Sequence, residues 1–148
     1  MSEVGWARAG GAAARPERIL PGPDGLGAEF YARATETGVV HLQRCDQCET
    51  WRHPPRVLCA ACGSADWSWQ PTAGRGRLFT WTVTHRPTDP AFADHLPYAV
   101  VVVALDEGPR VVGNVVGIEL DELRLDLPVR VILDHRTDSV ALVDFGPA

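Results

Sequence analysis

The chain has 148 residues, 45% apolar and 22% charged, which fits one ordinary domain or two very small ones sharing a surface. Fourteen basic and nineteen acidic residues give a net charge of −5, and all fourteen bases are Arg. The absence of Lys excludes a lysine nucleophile or Schiff base. No run approaches the roughly 20 apolar residues of a membrane-spanning helix, and the opening MSEVGWARAGG lacks the apolar core of a secretory signal, so the expected location is cytoplasmic.

Residues 1–24 are rich in Ala, Gly, Arg and Pro and read as a flexible or partner-ordered arm. A short helix is expected over 25–38, with Asp24 as N-cap, Leu26, Phe30 and Tyr31 on one face and Gly38 closing it. An aromatic pair on so short a helix needs cover, either from this chain or from another subunit.

Residues 39–72 hold the cysteines. Val39–Arg44 reads as a strand into a first knuckle and Trp67–Trp69 as a strand leaving a second. The spacing is Cys45-x2-Cys48, ten residues, then Cys59-x2-Cys62, which uses every cysteine in the chain. Two C-x2-C knuckles aim four thiolates at one point, and a closed four-sulfur shell suits structural Zn2+ with no open position for catalysis. A rubredoxin-like iron site has the same ligand set. Two disulfides are disfavoured because nothing marks the chain for an oxidising compartment. Arg44, Arg52 and Arg56 lie where they partly balance the charge of four thiolates and one dication. His53 is not at a ligand spacing and reads as an exposed loop histidine. Of Trp51, Trp67 and Trp69, one or two are expected in the ribbon's own small core and any remainder at an interface.

From Gly74 the pattern becomes period-two alternation broken by turns. Strands are expected over Arg77–His85, Tyr98–Asp106, Arg110–Ile118, Val129–His135 and Ser139–Phe145. Residues 119–128 read as a helical turn or loop, with strand-like alternation in Leu123–Leu127. Five strands in so short a segment favour a small closed barrel over a sheet with two long edges.

The run Arg44-Cys-x2-Cys-x5-Pro54-Pro55-Arg56-x2-Cys-x2-Cys-Gly63, then Trp69, Gly74-Arg75-Gly76 and Thr82-Val83-Thr84-His85-Arg86-Pro87, resembles the DUF35 family. The resemblance continues through Pro97-Tyr98, Leu105–Pro109, Asn114–Gly117 and Pro128–Val131, covering about residues 26–146. It departs mildly at Glu49, where the family often has Gly. The resemblance implies a mainly β fold: a short helix and a rubredoxin-like zinc ribbon (39–72), followed by a five-stranded OB-fold barrel (73–148).

It also implies work beside an enzyme. Members are usually small subunits or fused domains accompanying thiolase-like acyl-CoA enzymes: ketothiolase and synthase assemblies, acyltransferases, and aldolases that shorten steroid side chains. The reading taken from it is a non-catalytic accessory subunit, most concretely of an aldolase complex that releases a propionyl-CoA-type product from a steroid side chain. A heterotetramer on a thiolase-like dimer is expected, with acyl-CoA near the interface, and Trp51, Pro54, Arg56, Trp81, His85 and Arg86 as the candidate partner or acyl-CoA residues.

The residues agree by what they lack. Zinc takes every thiol, and there is no G-x-S-x-G elbow, phosphate-binding glycine loop or H-E-x-x-H. His85, His95 and His135 are the remaining general-base candidates. Two other classes stand against the accessory subunit. A stand-alone acyl-CoA binder would use Arg75, Arg77 and Arg86, which flank the first barrel strand. A single-stranded nucleic-acid module would need a positive face, whereas residues 73–148 hold seven Arg against eleven Asp and Glu. On that count no nucleic-acid partner is expected.

Overall fold

The computed structural model describes residues 19–148. Most of the expected arm, residues 1–18 with Trp6, lies outside the described residues. Among those described, no helix is long and apolar enough to cross a membrane.

Helix α1 spans Gly25–Thr37. Asp24 has the extended backbone of an N-cap, but its side chain makes no capping bond. Gly38 closes the helix at φ 71°, and its N–H donates to the Ala34 carbonyl at 3.0 Å. That left-handed turn is one glycine takes without a Cβ clash. Phe30 and Ala34 are buried and Tyr31 half-buried as α1 packs on the last barrel strand and the first ribbon strand, so this chain itself covers the aromatic pair.

The ribbon is a three-stranded antiparallel sheet in the order β2-β1-β3: β1 His41–Cys45, β2 Trp51–Arg52 and β3 Trp67–Pro71. The barrel comprises β4 Arg75–Thr84, β5 Tyr98–Leu105, β6 Arg110–Asn114, β7 Pro128–Thr137 and β8 Val140–Pro147, ordered β6-β5-β4-β7-β8. All neighbours in that order are antiparallel. The ends close through a parallel bridge between Val115 and Phe145, where the Val116 N–H donates to the Phe145 carbonyl at 2.8 Å. Closure removes the free edges that an open sheet would present.

Closure also corrects one expectation. β6 stops at Asn114 rather than Ile118, because the chain must leave its antiparallel ladder to meet β8. Residues 119–127 form the helical turn and loop expected, and the strand-like alternation of Leu123–Leu127 produces no strand. A 3-10 turn at Leu120–Glu122, held by reciprocal Glu119 and Glu122 side-chain bonds, precedes that run, and backbone hydrogen bonds between Leu78 and both Asp126 and Leu127, with one from the Arg77 side chain to the Asp126 carbonyl, tie it to β4.

β4 contains a further device. Gly76 and Leu78 face inward, a register shift follows at Phe79, and Trp81 and Val83 then take the inward side. One extra residue reverses the parity of a period-two strand, which turns Trp81 and Val83 inward, while Phe79 stays on the outward side with Arg75 and Arg77, 44% exposed. The buried core runs without a break from Phe30, Val40 and Leu42 into Leu78, Val101, Val103, Val129 and Phe145, so ribbon, helix and barrel share one apolar interior.

Candidate metal centre and the adjoining groove

The two knuckles repeat the same local geometry. The Cys45 N–H donates to the Thr50 carbonyl and the Glu49 N–H to the Cys45 carbonyl; Cys59 with Ser64, and Gly63 with Cys59, do the same fourteen residues on. Glu49 and Gly63 both stand at positive φ, 61° and 76°. All four Sγ atoms lie within 4.8 Å of one another. Cys45 and Cys62 Sγ are 3.7 Å apart, Cys48 and Cys59 Sγ 3.6 Å. A zinc tetrahedron with bonds of about 2.3 Å has edges of about 3.8 Å, so the sulfurs fit the ion; a disulfide needs about 2.05 Å, and all four cysteines are free.

The surroundings favour the thiolate at Cys59 and Cys48, whereas at Cys62 the Ser64 N–H lowers the thiol but the Cys48 thiol, burial and the Cys45 thiol push it up to about 12. Backbone N–H groups of Cys62 and Ala61 lower the Cys59 thiol, and the Thr50 side chain and backbone bring Cys48 down to about 6. Arg44 lies beside the first knuckle, paired with Glu49 at 2.9 Å and over the Trp51 ring.

Behind the knuckles, Gln43 is fully buried, and its Oε1 accepts from Arg52 Nε at 2.8 Å and from the Arg56 N–H at 2.7 Å. One side chain thus fixes β2 and the Pro54-Pro55-Arg56 loop together. In the sequence the only signal for this role is a lone amide between Leu42 and Cys45. The tryptophans divide between core and seam. Trp51 and Trp69 pack on the shared core; Trp67 meets Trp69 edge-on at 5.4 Å; and Trp69 Nε1 donates to Glu29 of α1 at 3.4 Å.

His53 is not the exposed loop histidine expected. Its ring lies 5.0 Å from that of Phe30, its Nδ1 is buried without a hydrogen-bond partner, and burial lowers it to about 4. The helix, which is remote in sequence, provides that cover.

Trp51, Pro54 and Arg56 line one groove of about 700 Å³, with Arg52, His53 and the Glu107-Gly108-Pro109 turn of the barrel opposite. Glu107 Oε1 accepts from the Ala73 N–H at 2.6 Å, fixing that turn to the ribbon–barrel connection. Val57 and Leu58, next to this loop, are 66% and 57% exposed. The other candidates are elsewhere. Trp81 is half-buried against the core, while His85 and Arg86 are exposed beyond the far end of β4.

A four-thiolate ribbon fused through a common core to a five-stranded closed barrel defines a zinc-ribbon–OB-fold protein. Family models for the ChsH2 rubredoxin-like zinc ribbon domain and the ChsH2 C-terminal OB-fold domain match residues 34–68 and 69–134. The chain belongs to the DUF35 family.

It is 36% identical over 135 residues to the probable enoyl-CoA hydratase alpha subunit of Thermomonospora curvata, a match covering 90% of this chain and 42% of that protein. It is 31% identical over 90 residues to a DUF35 domain-containing scaffold protein of Methanothermobacter thermautotrophicus, covering 60% and 67%. Among solved structures, a chain of an Ltp2-ChsH2(DUF35) aldolase superposes with a TM-score of 0.75 at 35% identity, covering 86% of this chain and 98% of that one. The chain therefore spans less than half of the hydratase subunit but nearly all of the aldolase chain.

Proposed function

We propose that this chain is a non-catalytic accessory subunit that docks on a thiolase-like acyl-CoA enzyme and helps form its active site. The observation that carries this reading is the match over 98% of a chain from an Ltp2-ChsH2(DUF35) aldolase. The chemistry of the chain supports it: the metal shell is closed and uses every thiol. The proposed contact is the ribbon groove with Trp51, Pro54 and Arg56, bordered by exposed Val57 and Leu58, an apolar and arginine-bearing surface of the kind interfaces favour. Trp81, His85 and Arg86 form a separate candidate surface. The activity assigned to the complex is aldol cleavage releasing a short acyl-CoA of propionyl-CoA type from a steroid side chain, in a cytoplasmic heterotetramer with the acyl-CoA near the subunit boundary.

The test is co-expression of the tagged chain with a thiolase-like acyl-CoA enzyme from the same genome, followed by mass determination and a cleavage assay. A heterotetramer that releases propionyl-CoA without added free CoA supports the proposal. Release only with free CoA assigns the complex to thiolysis, the ketothiolase or acyltransferase alternative. A stable monomer that captures no acyl-CoA enzyme overturns the accessory reading.

A further inference from the structure

The acidic balance of the barrel segment conceals how its arginines are placed. Four of the seven share one outward face. Arg75 and Arg77 flank buried Gly76 on β4, so both point outward. Arg130, exposed beside buried Val129, stands directly opposite Arg75 across the β4–β7 ladder. Arg110 lies in the row of Arg77, with Ala104 between them. At ordinary strand spacing their Cα atoms all fall within about 16 Å of one another.

Like charges directly opposite on neighbouring strands destabilise a sheet. Among the described residues, Asp106 is the one carboxylate within ion-pair range of the four, 3.8 Å from Arg75 with both side chains largely exposed. Arg77 donates to the Asp126 carbonyl at 3.1 Å and Arg130 Nε to the Pro147 carbonyl at 3.0 Å, each a modest use of a guanidinium with five N–H groups. The Arg110 guanidinium carbon lies 3.5 Å from the centroid of exposed Phe79. Phe79, outward like Arg75 and Arg77, thus carries a flat cation-on-ring platform beside three further guanidiniums. A planar base stacks on such a platform, and Arg holds phosphate oxygens bidentately.

We propose that the outer face of β4, β6 and β7 is a nucleotide site, with the base against Phe79 and Arg110 and a di- or triphosphate gathered by Arg75, Arg77 and Arg130. The acyl-CoA-binder alternative groups Arg86 with Arg75 and Arg77 as arginines flanking the first barrel strand. The structure puts Arg86 past the opposite end of that ten-residue strand and brings Arg130 in from β7. A free nucleotide and the nucleotide end of a CoA thioester share this chemistry. The site is independent of the partner assignment, because every residue in it lies outside the ribbon groove.

The test is calorimetric titration of the zinc-loaded full chain at low salt with ADP, CoA, adenosine, pyrophosphate and a short oligothymidylate. ADP should bind at least about tenfold more tightly than adenosine or pyrophosphate, since neither carries both contacts. CoA comparable to ADP makes the thioester a source, and CoA much weaker than ADP makes the free nucleotide the source; both support the site. Arg75→Gln and Arg130→Gln should each weaken ADP about five- to tenfold, Phe79→Ala should weaken ADP but not pyrophosphate, and Arg124→Gln should change nothing. Thermal melts of the same variants confirm that they fold. Failure of ADP to bind at millimolar concentration, or unchanged affinity in Arg75→Gln and Arg130→Gln, overturns the proposal. So does oligothymidylate binding tighter than ADP, which would assign the face to nucleic acid. Loss of nucleotide binding with the partner still captured, or the reverse, separates this proposal from the accessory role.

Discussion

Glu49 and Gly63 occupy the same left-handed position in the two metal knuckles, at φ 61° and 76°. One knuckle therefore carries a strain that the other avoids. A non-glycine residue there costs on the order of 1 kcal/mol, and Glu49 recovers part of that through its 2.9 Å pair with Arg44, whose side chains are 37% and 72% exposed. Glu49→Gly should raise stability by about 0.5–1 kcal/mol, read as a higher midpoint in urea at unchanged zinc content.

The four thiolates hold together a segment whose sheet includes a two-residue strand. Removing zinc with a strong chelator, or replacing Cys48 with Ser, should release the knuckles and disorder the Trp67–Trp69 pair. The readouts are loss of about one zinc per chain and loss of the near-ultraviolet tryptophan signal. Retention of that signal without metal would show that the ribbon is held by its packing alone.

His53 should make stability depend on pH. Burial against Phe30 lowers its folded value to about 4, so the unfolded chain binds a proton that the folded chain refuses. The contribution is complete above the unfolded value near 6.5 and is lost as pH falls through 6.5 toward 4. With the ring partly exposed, the loss between pH 7 and pH 5 should be about 1–2 kcal/mol. His53→Leu should remove that increment, measured as the difference between the two proteins' urea midpoints at each pH, which cancels the titration of the cysteines and carboxylates.

Barrel closure rests on a close approach at Gly113. A Cβ there would meet the Val143 carbonyl oxygen at 2.3 Å and the Phe145 ring at 3.0 Å. Gly113→Ala should cost about 2–4 kcal/mol, because the obstruction is backbone and cannot rotate away. Gly108→Ala has nothing within 4 Å of the new Cβ but sits at φ 110°, so it reports backbone strain without the clash. Comparing the two thermal melts separates the effects.

Much of the fold was legible because it is local. Strand alternation gave the barrel strands to within a few residues, and Gly38 stopped the helix where expected. The errors share a cause. β6 ends early because β8 competes for it. His53 is covered by a helix more than twenty residues away. Gln43 escaped attention because its role is to join β2 to the following loop, which strand periodicity does not report.

The sequence by itself determined the metal centre. Two C-x2-C pairs bring their own backbone N–H groups, so ligand set, knuckle geometry and closed shell follow from spacing over a few residues. Tertiary structure decided which surfaces exist. The groove lined by Trp51, Pro54 and Arg56 is also lined by the Glu107–Pro109 barrel turn, which Glu107 ties to the ribbon connection. Trp81 and Val83 face inward because a single bulge reversed the parity of β4, and Arg75 meets Arg130 because β4 pairs with β7 across more than fifty residues of chain. Side chains converge through register, and register is fixed by the packing of the whole barrel.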